Sequence, residues 1–317
     1  MTSLNTRQIF IGGTQRSGST VCGYLVGRHP DVWATMPREI RFLTDPGGLL
    51  DLVFGVRSRI DAQVETRLAD LFRKLQGQGR FAIFPPTPDR FMQDLQGKWW
   101  LRMSPDGQPR GLHRGIDAGV ILGAVRRFEA GYPKNPLEAA RELVDDVLTP
   151  ATNAASKTIW ADTTPQNAEN AHRLVRLNPD ARIIFMVRDG RDTCASILNK
   201  QWGPLEPLDA LEWWRKQAIR AHTAILQAGK HSALTVVLED LVFHRRDTEI
   251  QRLFGHLDLA ITPAVRSFFE TRVTAERANI GRWRDDIPAS AIPRFARRYA
   301  QIHTELTSLG LRLPAAD

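Results

Sequence analysis

Apolar residues in this chain fall into short continuous runs that alternate with segments of helical periodicity. The runs that are typical of strands lie at residues 8–12, 32–35, 158–161, 182–187 and 233–238. A continuous apolar run such as 182–187 fits a strand of a parallel sheet that is covered on both faces. The alternation of such strands with helices predicts an α/β fold with a doubly wound, mostly parallel sheet.

Proline and turn residues set the bounds of two of the predicted helices. A helix follows the first strand, and the His29-Pro30 pair predicts that it ends near Arg28. A later helix is expected to begin at Pro165, because proline suits the first turn of a helix. Its apolar positions are Ala168, Ala171, Leu174 and Val175.

The stretch from 44 to 155 has no pattern of a buried strand. It holds helical patterns at 61–75 and 137–148, which are joined by connectors rich in proline and glycine. We interpret it as a largely helical insertion in a single domain that spans residues 1–317, placed where it could cover a substrate site. A layer that merely covers the sheet fits the same pattern.

Composition limits the classes of protein to which this chain can belong. Its 317 residues are 42% hydrophobic and 25% charged, values that are ordinary for a globular protein. No window approaches 18 uninterrupted apolar residues, so no membrane span is expected. The two cysteines, Cys22 and Cys194, lie among apolar neighbours and predict buried thiols in a reducing, cytoplasmic compartment.

The formal net charge of +8 has two interpretations. A nucleic-acid protein would concentrate its cations in a stripe with interleaved aromatic residues, and no such module is visible, so no nucleic-acid partner is expected. An enzyme that handles a polyanionic small molecule would also gain from a positive field. A non-enzymatic basic binding protein is kept as an alternative.

The first strand runs into a loop of small residues that opens a helix. Gly13, four further residues, Gly18 and then Ser19-Thr20 nearly reproduce the Walker A spacing, in a P-loop-like arrangement. The lysine that should follow Gly18 is missing, and Arg16 supplies a cation inside the loop instead. A strand, a loop and a helix N-terminus point backbone N–H groups at a phosphate. A small-metabolite kinase that uses ATP and Mg²⁺ would explain this loop, although not the missing lysine.

A second constellation follows the strand at 182–187. Arg188 leaves the carboxyl end of that strand, where ligands bind in open α/β sheets, and could bind a phosphate in bidentate fashion. Ser196 lies about two helical turns later and could add a hydroxyl donor. The alternative is a solvated loop in which Asp189 and Asp192 pair with the arginines.

Three further segments offer acid–base or ligand-closing chemistry. Glu39 stands between Arg38 and Arg41, either as a surface ion pair or as a carboxylate able to accept a proton from a hydroxyl. Asp162 ends a predicted strand and is the reserve base. Trp283 lies among basic residues near the C-terminus, in a segment suited to closing over a nucleotide. No cluster of histidine, cysteine and acidic residues has the spacing of metal ligands.

Taken in order, these segments resemble the sulfotransferases that use 3′-phosphoadenosine-5′-phosphosulfate (PAPS). The segments that carry the resemblance are 15–20, 38–42, 187–192 with Ser196, 239–241 and 281–283. The segment around Glu39 resembles the Lys-Glu-x-x-Phe-Phe motif of Golgi-type and bacterial members, whose glutamate is the general base. Thr163 stands where carbohydrate-modifying relatives often have a lysine, which puts heparan-type specificity in doubt.

The resemblance implies a role for each matching residue. The 5′-phosphosulfate would be held by Arg16, Ser17, Gly18, Ser19 and Thr20, with Arg16 also stabilising the transferring group. The 3′-phosphate would be bound by Arg188 and Ser196, while Arg282 and Trp283 would close the cofactor site. The implied reaction is in-line transfer of a sulfuryl group from PAPS to a hydroxyl, with Glu39 as the base. Residues 44–155 fall largely outside the resemblance, as expected of the acceptor-binding region. The class of acceptor (a small molecule, a glycan or glycolipid, or a peptide) and any homo-oligomer are left open.

Overall fold

The computed structural model describes residues 6–35, 39–56, 86–104, 107–198, 200 and 203–315. The predicted helix at 61–75 and the residue Arg38 therefore lie outside the described residues. The chain divides into two compact units, one formed by Met1–Glu39 with Thr152–Asp317 and the other by Ile40–Ala151.

A five-stranded parallel sheet lies in the first unit. Its strands are β1 (Arg7–Gly13), β2 (Val32–Ala34), β3 (Ile159–Asp162), β4 (Arg182–Val187) and β5 (Ala233–Val237), in the spatial order β2-β3-β1-β4-β5. Every neighbouring pair is parallel. The predicted α/β fold with a parallel sheet is confirmed, and the bounds of β4 are those expected from the apolar run.

The apolar runs form strands because the sheet buries both of its faces. Ile9 and Ile11 of β1 point into a core that also contains Met186 of β4. Phe10 points to the opposite face, where its ring meets Trp160 edge-on with centroids 5.3 Å apart. Alternate side chains of one strand therefore fill two separate layers, which explains why apolar residues such as Ile9, Phe10 and Ile11 follow one another without interruption.

Helices make up most of the rest of the described residues. In chain order, the α-helices with described bounds are α1 (Ser19–Val26), α2 (Leu49–Phe54), α3 (Pro88–Gln96), α4 (Ala118–Gly131), α5 (Pro136–Ala154), α6 (Ala171–Leu177), α7 (Gly190–Leu198), α8 (Pro207–Ala228), α9 (Arg246–His256), α10 (Pro263–Arg272), α11 (Ala275–Ala278), α12 (Trp283–Asp286) and α13 (Ile292–Ser308). Two 3₁₀ turns, Leu112–Arg114 and Pro165–Asn170, and a π-helical turn, Asp240–His244, complete the set. Among the described helices, none is long and apolar enough to cross a membrane.

The second unit is helical in its described part, as the sequence pattern predicts. Its core contains Phe91, Trp99 and Phe128, with ring centroids 5.6–5.8 Å apart. The indole N–H of Trp99 donates to Asp45 at 3.2 Å, so the buried ring keeps a polar partner. Within 40–56, 86–104 and 107–151, strand-like pairing is limited to an isolated bridge between Met103 and Pro109. A role of the second unit in acceptor binding stays a prediction.

Candidate active site

The order of the strands places two loops at the centre of the sheet. β1 and β4 are neighbours, and Gly13 lies opposite Met186 at their carboxyl ends. The chain leaves β1 toward the β2 edge and leaves β4 toward the β5 edge, so the winding reverses between them. Ligands of open α/β sheets bind in the crevice at such a reversal. The loops that begin at Gly13 and Arg188 both start there.

The loop from Gly13 to Gly18 is tightly folded onto the end of β4. A Cβ atom at Gly13 would lie 2.2 Å from Ser17 Oγ and 2.5 Å from the carbonyl oxygen of Met186, so only glycine fits. Arg16 and Gly18 have positive φ values of 69° and 95°. Neighbouring left-handed and right-handed residues turn successive N–H groups toward one concave side.

The N-terminus of α1 and nearby hydroxyl groups have donors available for a ligand. No side chain caps α1 at Gly18, and the first N–H groups of a helix have no intrahelical acceptor. The hydroxyl groups of Thr14 and Ser17 are buried, and neither has a hydrogen-bond partner within the described chain. Buried polar groups are almost always paired, so these donors are consistent with an anionic ligand in the loop.

Arg16 joins the first loop to the helix that follows β4. Its Nε donates to Ser196 Oγ at 3.0 Å, across 180 positions of sequence. Partial burial of the guanidinium, then the nearby Arg188 and Arg282, lower the pKa of Arg16. Arg16, Arg188 and Arg282, which come from three separate motifs, therefore lie close enough for their charges to interact.

Arg188 is nearly buried, and it binds backbone carbonyl groups on two sides. Its Nη1 donates to the Arg16 carbonyl at 3.3 Å, and its Nη2 donates to the carbonyls of Ala278 and Asn279 at 2.8 Å each. Its Nε is buried and has no partner among the described residues. Arg188 thus braces the loop and the C-terminal segment while it keeps one donor for a ligand.

The predicted closing segment lies against the start of α7. Trp283 is 7% exposed, and the guanidinium carbon of Arg191 lies 4.8 Å from the centroid of its ring. Arg282 forms an ion pair with Asp286, in which Nε donates at 2.7 Å. Trp283 is therefore packed in place, whereas Arg282 keeps a partly exposed guanidinium close to Arg16.

The arginine-rich turn after β4 is buried, which excludes the alternative of a solvated loop. Asp189, Arg191 and Asp192 are all buried. Both oxygens of Asp189 accept hydrogen bonds from Arg191, with Nη2 at 2.7 Å. The alternating charges of this turn are visible in the sequence, but nothing in the sequence indicates that the turn is buried.

Glu239, whose chemistry the sequence analysis did not anticipate, lies at the carboxyl end of β5. It is 3% exposed, and its Oε1 accepts the backbone N–H of Asp189 at 2.9 Å. Burial raises the pKa of Glu239 to about 7. The apolar run that precedes it was the available signal, because a carboxylate directly after a buried strand is placed at the ligand-binding edge.

The two candidate bases have different surroundings. Glu39 is half-buried and follows β2, whose pairing with β3 extends to a hydrogen bond from Thr35 N–H to the Ala161 carbonyl. Asp162 is 0% exposed, and its two oxygens accept from Thr164 Oγ1 at 3.0 Å and Asn167 Nδ2 at 2.8 Å. Asp162 therefore has the surroundings of a structural carboxylate, not those of a base that meets an acceptor.

The structure also bears on metals and cysteines. Among the residues that are described, no group of three or more histidine, cysteine or acidic side chains could hold a metal ion. Cys22 and Cys194 are both free thiols and both buried, as predicted. Burial raises the pKa of Cys22 to about 12, which makes it an unreactive thiol.

Comparison with known proteins assigns the family. A family model described as the sulfotransferase family matches residues 8–263, most of the chain. The chain is a sulfotransferase. The family resemblance stated from the motifs is thereby confirmed, and the match includes the loop at Gly13, both candidate bases and the turn after β4.

Several solved sulfotransferase structures are similar to this chain at low sequence identity. The sulfotransferase domain of the Synechococcus PCC 7002 olefin synthase is 15% identical, with a TM-score of 0.50, and the alignment covers 99% of this chain and 98% of that one. The sulfotransferase domain from the curacin biosynthetic pathway is 14% identical, with a TM-score of 0.48 and coverage of 99% and 100%. Sulfotransferase STF9 from Mycobacterium avium is 15% identical, with a TM-score of 0.46 and coverage of 98% and 78%.

Proposed function

We propose that this sulfotransferase moves the sulfuryl group of PAPS to a hydroxyl group of an acceptor. The observation that carries the proposal is the contact between Arg16 Nε and Ser196 Oγ, with Arg188 donating to the Arg16 carbonyl and Arg282 nearby. PAPS bears anionic groups at both the 5′ and 3′ positions of one nucleoside. A site with cations from three segments matches such a ligand better than it matches a neutral one.

The donors left unpaired in this region fit the two anionic ends of PAPS. Ser17 Oγ, which has no partner within the described chain, would bind the 5′-phosphosulfate together with Arg16 and the N–H groups of Gly18, Ser19 and Thr20 at the start of α1. The buried Nε of Arg188 and the hydroxyl of Ser196 would bind the 3′-phosphate. Arg282 would add a cation, and Trp283 would support the segment that carries it.

Bound PAPS supplies the electrophilic sulfur, and the protein supplies positioning, charge and a base. Sulfuryl transfer resembles phosphoryl transfer, in which a loose displacement builds negative charge on the bridging oxygen. Arg16 and the loop N–H groups would stabilise that charge. Glu39 would accept the acceptor hydroxyl's proton late in the displacement. Its partial exposure supports this role over Asp162, whose oxygens are buried and already accept hydrogen bonds.

The acceptor is proposed to bind through the second unit, residues 40–151. Its class stays a hydroxyl-bearing small molecule, glycan, glycolipid or peptide. The two buried, unpaired cysteines support a cytoplasmic, reducing compartment.

Calorimetry with the product nucleotide tests the cofactor assignment. Adenosine 3′,5′-bisphosphate should bind at micromolar concentrations, and adenosine 5′-monophosphate should bind at least ten-fold more weakly because it lacks the 3′-phosphate. Arg188→Ala should remove this discrimination. Absence of binding by the bisphosphate would refute the proposal, and tight Mg²⁺-dependent binding of ATP that survives Arg188→Ala would favour a kinase instead.

A further inference from the structure

A short segment near the C-terminus is held by two oppositely charged side chains from the start of α7. We call this segment, residues 278–283, the strap. Arg188 donates to the strap carbonyls of Ala278 and Asn279 at 2.8 Å each. Asp192 accepts the strap N–H groups of Gly281 at 2.8 Å and Trp283 at 3.1 Å. The strap is thus bound through its backbone at both ends, by a cation and by an anion.

The two side chains that hold the strap also contact each other. Arg188 Nη2 lies 3.5 Å from Asp192 Oδ2, one helical turn apart in sequence. Asp192 is 0% exposed, so its charge is stabilised by these partners and not by bulk water. A buried carboxylate with two N–H donors and a guanidinium has little freedom to rotate.

The strap's own backbone conformation matches this pair of side chains. Asn279 and Gly281 have φ values of 52° and 85°, both in the left-handed region. These turns bring carbonyl oxygens to Arg188 and N–H groups to Asp192 within six residues. The interaction therefore fixes the path of the backbone from which Arg282 projects.

We propose that Asp192 is a positioning residue of the cofactor site. It acts through Arg188 and through the strap, so that Arg282 stands beside Arg16 before PAPS arrives. This inference rests on the proposed function, because it assumes that Arg188 and Arg282 bind the nucleotide. Asp192 itself touches no cofactor atom in this scheme, and its contribution is preorganisation of groups that do.

Asp192→Asn tests the proposal with little change in volume. The amide replaces one acceptor oxygen with an NH₂ group that would face a backbone N–H donor. Hydrogen bonds to a charged, buried acceptor are stronger than neutral ones. Their weakening should make the variant bind adenosine 3′,5′-bisphosphate about 10- to 100-fold more weakly. KM for PAPS should rise similarly, while KM for the acceptor stays within about two-fold of wild type. Asp285→Asn, which changes an exposed carboxylate of α12 just after the strap, is the matched control and should bind like wild type.

A double-mutant cycle separates positioning from general stability. Arg282→Ala should weaken nucleotide binding markedly in the wild-type background and by less than about two-fold in the Asp192→Asn background. Additive effects would overturn the proposal, since a merely structural Asp192 would leave the contribution of Arg282 intact. If wild type fails to bind the nucleotide at all, the proposed function fails first, and that result is distinct.

Hydrogen exchange on the wild-type enzyme covers the case in which Asp192→Asn does not fold. Peptides containing the Gly281 and Trp283 amides should already be protected in the free enzyme, because Asp192 accepts both N–H groups. Adenosine 3′,5′-bisphosphate should add little further protection there. Free exchange of these amides without nucleotide, followed by strong protection on binding, would show that the ligand assembles the strap and would refute the proposal.

Discussion

At the scale of single residues, the proposed role of Arg16 bears most directly on catalysis. Its guanidinium contacts Ser196 and lies near two further cations. We expect Arg16→Ala to lower the rate of sulfuryl transfer by about 10²–10³-fold, the loss typical of one preorganised donor to a developing charge. Transfer of labelled sulfate from PAPS would measure it, with the exposed Arg297→Ala as a control of equal charge change. A loss below ten-fold would exclude Arg16 from the transition state.

A substitution at Glu39 is expected to slow the transfer step without weakening nucleotide binding. Glu39→Gln keeps the size of the side chain but cannot accept the acceptor's proton. The affinity for adenosine 3′,5′-bisphosphate should stay unchanged, while kcat falls about 10²–10⁴-fold. Calorimetry and steady-state kinetics on the same preparation would test both expectations. If turnover persists in Glu39→Gln and is lost in Asp162→Asn, Asp162 is the base.

Glu239 makes stability depend on pH in a defined direction. Burial raises its pKa from an ordinary value of 4.5 to about 7 in the folded protein. The folded state therefore binds more protons than the unfolded state between these values, and the free energy of unfolding should fall as pH rises through that window. The slope from this group is at most about 1.4 kcal/mol per pH unit.

Denaturant unfolding from pH 4.5 to 8 would test the role of Glu239. Glu239→Gln should remove this part of the slope, whereas Glu270→Gln, at an exposed position, should leave it unchanged. The same slope in wild type and in Glu239→Gln would contradict the expectation.

At the scale of elements, the strands were predictable and one helix was not. The apolar run at 182–187 matches β4 residue for residue, since a strand buried on both faces leaves a continuous signal. The helix expected from Pro165 onward begins instead as a 3₁₀ turn, Pro165–Asn170, before α6. This turn lies against Gly12 of β1, a long-range contact that local periodicity does not encode.

Gly12 allows that close approach and gives a prediction at this scale. A Cβ atom there would lie 2.3 Å from the backbone nitrogen of Ala168 and 2.9 Å from the carbonyl oxygen of Pro165. Because backbone atoms cannot move aside as a side chain does, Gly12→Ala should lower the free energy of unfolding by about 1–3 kcal/mol. Gly255→Ala in α9 is the matched control, as its added methyl group meets nothing within 4 Å.

Urea unfolding of the two glycine variants would check both expectations. Gly255→Ala should be neutral or stabilising by up to about 1 kcal/mol, because alanine favours a helix. Equal stability of Gly12→Ala and wild type would contradict the expectation, since it would mean that the 3₁₀ turn can move away from the added methyl group at little cost.

In the candidate site, too, features set by neighbouring residues were predictable from the sequence, whereas contacts between distant residues were not. The loop at Gly13 and Arg188 after β4 were found from the sequence because each follows a strand directly. The link between Asp192 and the strap was not, since Asp192 and Gly281 are 89 positions apart and neither residue type requires the other. Alternating charges at 188–192 look the same whether the turn is solvated or buried.

At the scale of the whole molecule, the net charge of +8 bears on how fast the proposed cofactor would bind. The cations around Arg16 attract an approaching polyanion from a distance. Salt weakens this attraction, because charges in 0.1 M salt are screened beyond about 10 Å. Once the ligand is bound, short hydrogen bonds from partly buried groups are screened much less. We therefore expect salt to act mainly on association and to have little effect on dissociation.

Stopped-flow binding of adenosine 3′,5′-bisphosphate from 0.05 to 0.5 M salt would separate the two rate constants. The association rate constant should fall with ionic strength, and the dissociation rate constant should change far less. The same titration with duplex DNA addresses the alternative of a basic binding protein, whose affinity would fall steeply with salt and would be indifferent to Arg16→Ala. If nucleotide association is insensitive to salt while DNA binding is tight and steeply salt-dependent, the excess positive charge serves nucleic acid and not the cofactor.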